Sequence, residues 1–279
     1  MASYNNLPNG IGGTSGAALA KAKPLLTSGN VWYVHSGTGT DDATHGKDRL
    51  TPLASLEYCV KNVAYASHDI VVLMSGHMET PIASIDTGAA GTKHGVSVIG
   101  EGTGANMPRL IRGIDDELLN VTGNAVTLSN ICFPESTLTT VTYKVVFYGT
   151  DPAINGCLFK GGIKDGAALV RFYGAGSSTH IIRDSIFSSV APDPTAQPAA
   201  AIEVNSATLP LVMDNVTIDG GDSGWSDLTY GAVRIKIPAN VRATDIKLLN
   251  GSDVHIATAC TGYFNVSQAT GSSKVVWTA

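Results

Sequence analysis

The sequence predicts an all-β protein wound as a single-stranded parallel β-helix, a solenoid in which each coil lies on the one before. Three observations point to it. Groups of similar residues recur at spacings of 25, 29, 31 and 30 residues. Within each group, apolar and polar positions alternate with a period of two, as in a strand with one buried face. No helical pattern lies between the recurring strands, so each strand must pair with its equivalent in the next repeat.

Residues 1–30, "MASYNNLPNGIGGTSGAALAKAKPLLTSGN", are rich in Gly, Ala, Asn and Ser. Ordering each backbone residue costs about 1–2 kcal/mol, and this composition cannot recover that from its own contacts. Beyond Met1, its large apolar groups are Tyr4, Leu7, Ile11, Leu19, Leu25 and Leu26, too widely spread to form a core. The segment reads as an arm that uses them as separate anchors on a partner, as a disordered segment folds on binding.

Residues 31–65 read as a lead-in of strand, polar loop and helix. "VWYV" is the strand, and "HSGTGTDDATHGKD" is the loop. Thr51 can N-cap a helix with Pro52 at its first position. Leu53, Leu56, Cys59 or Val60, and Val63 follow at helical spacing. The pattern predicts a helix over 53–65, a lid on the first coil, whose strand edges need covering.

Residues 66–279 form the solenoid. "HDIVVLMSGHME" and "GVSVIGEGTG" read as early coils. Further on, Asn130, Asn155, Asp184, Asn215 and Asp245 mark a turn position that suits their short polar side chains. Three residues after each sit Phe133, Leu158, Phe187, Ile218 and Leu248, an expected interior column. Two residues after the first pair sit Cys132 and Cys157, which would then share a column on adjacent coils. A second strand repeats as Val145, Val170, Ile202 and Val233, with Phe147, Phe172, Val204 and Ile235 two residues on. Between them Val146, Arg171, Glu203 and Arg234 should face outward, the charged members alternating in sign.

Composition bounds the function. Hydrophobic residues make up 43% and charged residues 15%, enough apolar content for a core. The net charge of −5, without a Lys/Arg cluster, argues against a nucleic-acid surface. No apolar run approaches the ~20 residues of a membrane helix. The start lacks a basic segment followed by an apolar one, so no export signal is expected. The four Cys show no zinc spacing and are expected as reduced thiols.

The "YV…G…D…G…TPLASLEYCV" lead-in, the "HDIVVLMSG" strand, "VSVIGEGTG" and the coils together span 31–270. They resemble the pectate-lyase-like superfamily of right-handed parallel β-helices. The resemblance implies a right-handed winding. It leaves function open among pectin-cleaving enzymes, bacterial surface proteins, glycan-cleaving phage tailspikes and phage proteins without known catalysis.

Candidate chemistry is sparse. A glycosidase needs two carboxylates, ~5–5.5 Å or ~6.5–9.5 Å apart. Asp184, Asp214 and Asp245 lie on successive coils, but Asp184 and Asp245 occupy the turn column, where Asn also serves. The loop "DGGDSGWSDLTYG" offers Asp222, Trp225, Asp227 and Tyr230 as candidate glycan-binding residues, rings for stacking beside acids for hydroxyls. "GTDDATHGKD" lacks the order of a calcium loop, the seven His are scattered without HExxH, and no cofactor or metal is expected.

The expectation is therefore a non-enzymatic virion protein: a bacteriophage capsid decoration or cement subunit. It would assemble in the host cytoplasm, form a homotrimer and hold the major capsid protein, or another virion protein, through its arm. The alternative is a polysaccharide lyase or glycoside hydrolase of the tailspike type. A surface adhesin is disfavoured by the missing export signal.

Overall fold

A computed structural model describes residues 29–63, 67–87, 94–113, 116–135, 143–161, 168–173, 179–189, 200–205, 210–220, 232–235, 240–250, 252–257, 260–271 and 273–278. Its strands form a parallel β-solenoid with three walls. Wall A stacks Val31–Val34, Ile70–Leu73, Ser97–Gly100, Thr127–Ser129, Ala153–Asn155 and His180–Arg183. Wall B stacks Met78–Glu79, Arg109–Leu110, Cys132–Phe133, Leu158–Gly161 and Ile186–Ser189. Both continue into the long strands Pro210–Asp219, Asn240–Leu249 and Thr261–Ala269, which run through the corner between them. Wall C stacks Ile85–Asp86, Leu119–Val121, Tyr143–Phe147, Ala168–Phe172, Ile202–Val204, Val233–Ile235, Val254–Ala257 and Val275–Thr278.

The corner between walls A and B is a left-handed backbone position repeated coil after coil. Asn130 (φ 54°), Gly156 (φ 60°), Asp184 (φ 49°), Asn215 (φ 50°) and Asp245 (φ 52°) occupy it. Asn and Asp tolerate this geometry because their side chains bond locally, and Gly because it has no Cβ. Asn130 also donates its amide to the carbonyls of Gly100 (2.8 Å) and Gly102 (2.9 Å), tying its coil to the previous one.

One expected register is off by a residue. Asn155 pairs with Ser129 and Arg183, not with the corner residues Asn130 and Asp184. The corner belongs to Gly156, and a one-residue shift moves the side chains of the strands on either side of it to the opposite face. Phe159, not Leu158, therefore fills the interior. It stacks on Phe133 at 4.6 Å and on Phe187 at 4.8 Å between ring centroids, near face to face. Cys157 likewise turns inward, while Cys132 lies beside outward-facing Leu158, so the two thiols do not share a column. All four cysteines are buried and none forms a disulfide.

Wall C follows the predicted columns. Val145, Val170, Ile202 and Val233 are in register, as are Phe147, Phe172, Val204 and Ile235, and all are core residues. Phe147 and Phe172 stack at 5.1 Å.

The first coil is capped, but differently from the expectation. Helix α1 spans Leu56–Asn62, shorter than 53–65, and its N-cap is Ser55, whose hydroxyl accepts from the Tyr58 N–H. Thr51 and Pro52 are not its start. The chain there is extended: Leu53 donates to the Tyr33 carbonyl (2.9 Å) and accepts from the His35 N–H (2.8 Å), adding a ladder step to Val31–Val34. An open strand edge presents backbone groups that must be paired. The segment before the helix satisfies them, and the helix then lays Leu56, Cys59 and Val60 over the core.

Candidate functional site

Two of the three acids expected near the corner, Asp184 and Asp214, are ties between coils, as is Asp219 at the end of the same long strand; the third, Asp245, is a corner residue (φ 52°). Asp184 accepts from the Asn215 amide (2.8 Å), Asp214 from the Thr244 hydroxyl (2.9 Å), and Asp219 from the Asn250 amide (2.8 Å). Each bond joins one coil to the next, the role that identical Asn or Asp ladders play in stacked strands. The acids of the lead-in loop serve its own backbone. Asp41 accepts from the Ala54 N–H (2.8 Å), the Ser55 N–H (3.0 Å) and the Ser55 hydroxyl (2.7 Å). Asp42 holds His45 at 2.6 Å and also bonds Thr44, which keeps its carboxyl well below the usual carboxylate range. Among the described residues, no three His, Cys, Asp or Glu side chains gather as metal ligands would.

Asp222, Trp225, Asp227 and Tyr230 lie outside the described residues, as do the arm residues Tyr4, Leu7, Ile11, Leu19, Leu25 and Leu26.

A histidine–glutamate pair sits under α1. His77 is fully buried and its Nδ1 accepts from the Ser36 N–H (3.1 Å). Its Nε2 therefore carries the proton and donates to Glu79 (3.1 Å). The Glu79 carboxylate also accepts from the N–H groups of Leu56 (2.6 Å) and Glu57 (3.0 Å), the exposed positive end of the helix. The geometry looks like a catalytic dyad, but every acceptor oxygen is engaged in holding the lid.

The outer face of wall C carries Arg171 beside Glu203, as their column predicts, together with aromatic rings that the sequence did not single out. The Arg171 guanidinium lies over two rings, 4.9 Å from Tyr143 and 4.6 Å from Tyr173. Its Nε is 3.6 Å from buried Glu203. Tyr148 meets Tyr173 edge to face at 5.7 Å, and both are exposed. The Glu117 N–H donates to the Asp116 carboxylate (2.9 Å). Interaction between the two carboxyls raises that of Glu117, with burial adding to the effect, and lowers that of Asp116. One acid of the pair thus holds a proton more tightly than the other, and Glu117 feels the Arg171 charge. Aromatic faces beside a pair of neighbouring carboxyls suit a polyhydroxylated ligand. The readable trace was Tyr148 and Tyr173, each directly following a member of the Phe147/Phe172 column.

Lys144, next to Tyr143 in the same strand, is 1% exposed. It donates to the Pro134 carbonyl, and burial, with Arg112 adding, pushes its ammonium down to about 7. Burying a cation away from water favours its neutral form.

His180 is the other buried base. It is fully buried, stacks on Phe172 at 4.7 Å, and neither ring nitrogen has a hydrogen-bond partner. Burial lowers it to about 4 from an ordinary 6.5. The folded state then binds fewer protons than the unfolded one between these values, so stability is fully present above about 6.5 and is lost as pH drops from there towards about 4. One pKa unit is worth about 1.4 kcal/mol, which puts the loss at about 3 kcal/mol. His180→Leu should abolish this component, measured as the difference between wild-type and variant denaturation midpoints at pH 7 and pH 4.5. An equal acid response in both proteins would refute it.

No protein-family model matches the chain, and no curated protein matches it.

Proposed function

We propose that this chain is a non-enzymatic structural protein of a bacteriophage particle, a capsid decoration or cement subunit. The observation that carries the non-enzymatic part is the ladder along the corner: Asp184 and Asp214, two of the three acids placed where a pair could act, each bond the following coil. The particle itself follows from the resemblance to phage members of the pectate-lyase-like superfamily, and right-handed winding and trimeric assembly are part of the same proposal. Residues 1–30 are the proposed anchor on the major capsid protein or another virion protein, because their composition requires a partner surface to become ordered.

A second reading, a tailspike-like protein that binds or cleaves a glycan, is favoured by the Asp116–Glu117 pair beside Arg171, Tyr148 and Tyr173. Two experiments separate the readings. Deleting residues 2–28 should leave the far-UV circular dichroism and melting of the solenoid unchanged and abolish incorporation into particles. Full decoration by the truncated protein would overturn the anchor. Release of reducing sugar or unsaturated product from a glycan panel, lost in Glu117→Gln, would select the second reading.

A further inference from the structure

The two ends of the solenoid are finished differently. At the first coil Leu53 pairs with the strand edge and α1 covers the core, among the charges of Lys47, Asp48, Arg49, Glu57 and Lys61. At the last coil, Thr261–Ala269 and Val275–Thr278 each pair with one neighbouring strand, and among the described residues no element lies beyond them. Phe264, Val266 and Val275 face the core yet are only partly buried, and Tyr263 is 50% exposed.

Natural edge strands are protected from pairing by charges, prolines, bulges or short length. Thr261–Ala269 is nine residues long and contains no Pro and no charged residue. From Val254 to Ala279 the sole Asp, Glu, Lys or Arg is Lys274, which sits 3.8 Å from Asp253. The register of this strand shifts twice, between Ala243 and Ile246 and between Ile246 and Lys247, so its irregularity is confined to the corner and the residues just after it.

We propose that the last coil is the docking surface for a second copy of this chain, last coil to last coil. The strand supports a two-fold axis through Asn265, its central residue. Thr261–Phe264 continues wall A, and the residues after Asn265 continue wall B. The axis sets the wall A half of one copy against the wall B half of the other, antiparallel, and Val275–Thr278 of wall C against itself. Phe264, Val266 and Val275 of both copies then close one continuous core. An uncharged edge meets an uncharged edge, which desolvates no charge. The opposite end is sealed by Leu53 and α1, so the contact is self-complementary and closes at a pair instead of growing into a fibre. The pairing does not depend on the particle reading and adds a contact to it: side-by-side trimers joined this way would be hexamers.

The test is the mass of the full-length protein by light scattering, combined with hydrogen exchange of the amides of residues 261–269. Wild type should contain an even number of chains and protect these amides. Tyr263→Lys with Asn265→Lys, both at exposed positions, places like charges across the axis. It should halve the mass and deprotect the same amides, with circular dichroism unchanged as evidence of folding. An odd-numbered wild type, or a mass unchanged in the variant, overturns the proposal. A monomer whose 261–269 amides are protected overturns it too, since a segment of the same chain would then cover the edge.

Discussion

Replacing Phe159 by Ala should cost about 3–5 kcal/mol, the usual range for truncating a buried aromatic ring. Phe159 is the middle ring of a stack, 4.6 Å from Phe133 and 4.8 Å from Phe187, and it is fully buried. Its loss leaves a cavity that neighbours in two coils cannot fill without sliding their strands. Each coil contacts only its neighbours, so the damage should concentrate in the middle of the solenoid instead of abolishing all structure at once. Denaturant unfolding combined with hydrogen exchange over Leu158–Gly161 and Ile186–Ser189 reads it. The informative control is Leu158→Ala, which removes a half-buried side chain from the outer face and should cost less than about 1 kcal/mol. If the two costs came out reversed, the coil would be in the register that its Asn155 suggests rather than the one Gly156 sets.

Leu56→Asp should be comparably severe, about 5 kcal/mol. It removes a fully buried apolar side chain, worth about 1.5–3 kcal/mol. It also introduces a carboxylate beside Glu79, which already accepts from the Leu56 N–H at 2.6 Å. A second anion there would be desolvated and would face a like charge. The lid should lift, exposing the edge of Val31–Val34 and the core beneath α1. Leu56→Met keeps the volume and should cost under about 1.5 kcal/mol. Loss of exchange protection confined to Val31–Val34 and Ile70–Leu73 in Leu56→Asp would confirm that the lid seals this end. Unchanged protection there would mean that α1 is dispensable.

Wall C could be read from the chain because its columns combine two signals. Val145, Val170, Ile202 and Val233 are all branched and apolar, and the intervening Arg171 and Glu203 exclude the alternative face. The corner between walls A and B carried a weaker signal. Asn130, Asp184, Asn215 and Asp245 were recognisable, but the second coil has Asn155 next to Gly156, and both can sit at a corner. The tie was resolved by packing: placing Gly156 at the corner puts Phe159 between two phenylalanines, a gain that no local preference of Asn155 can match. The lid shows the same limit. Thr51-Pro52 is a good helix start by itself, yet the edge of Val31–Val34 needed backbone partners, and Leu53 was within reach, so the helix begins after Ser55.

The order of the coils, their apolar columns and their left-handed corners were determined by the sequence, because a period-two pattern repeated at a fixed interval leaves few ways to bury its apolar side. Which residue of a neighbouring pair turned the corner was decided by stacking between coils. So was the gathering of Tyr143 and Tyr173 around Arg171, and the commitment of Asp184, Asp214 and Asp219 to neighbours thirty-odd residues away. Those outcomes depend on contacts between residues far apart in the chain, and the energy of such a contact does not exist until the coil that supplies the partner is in place.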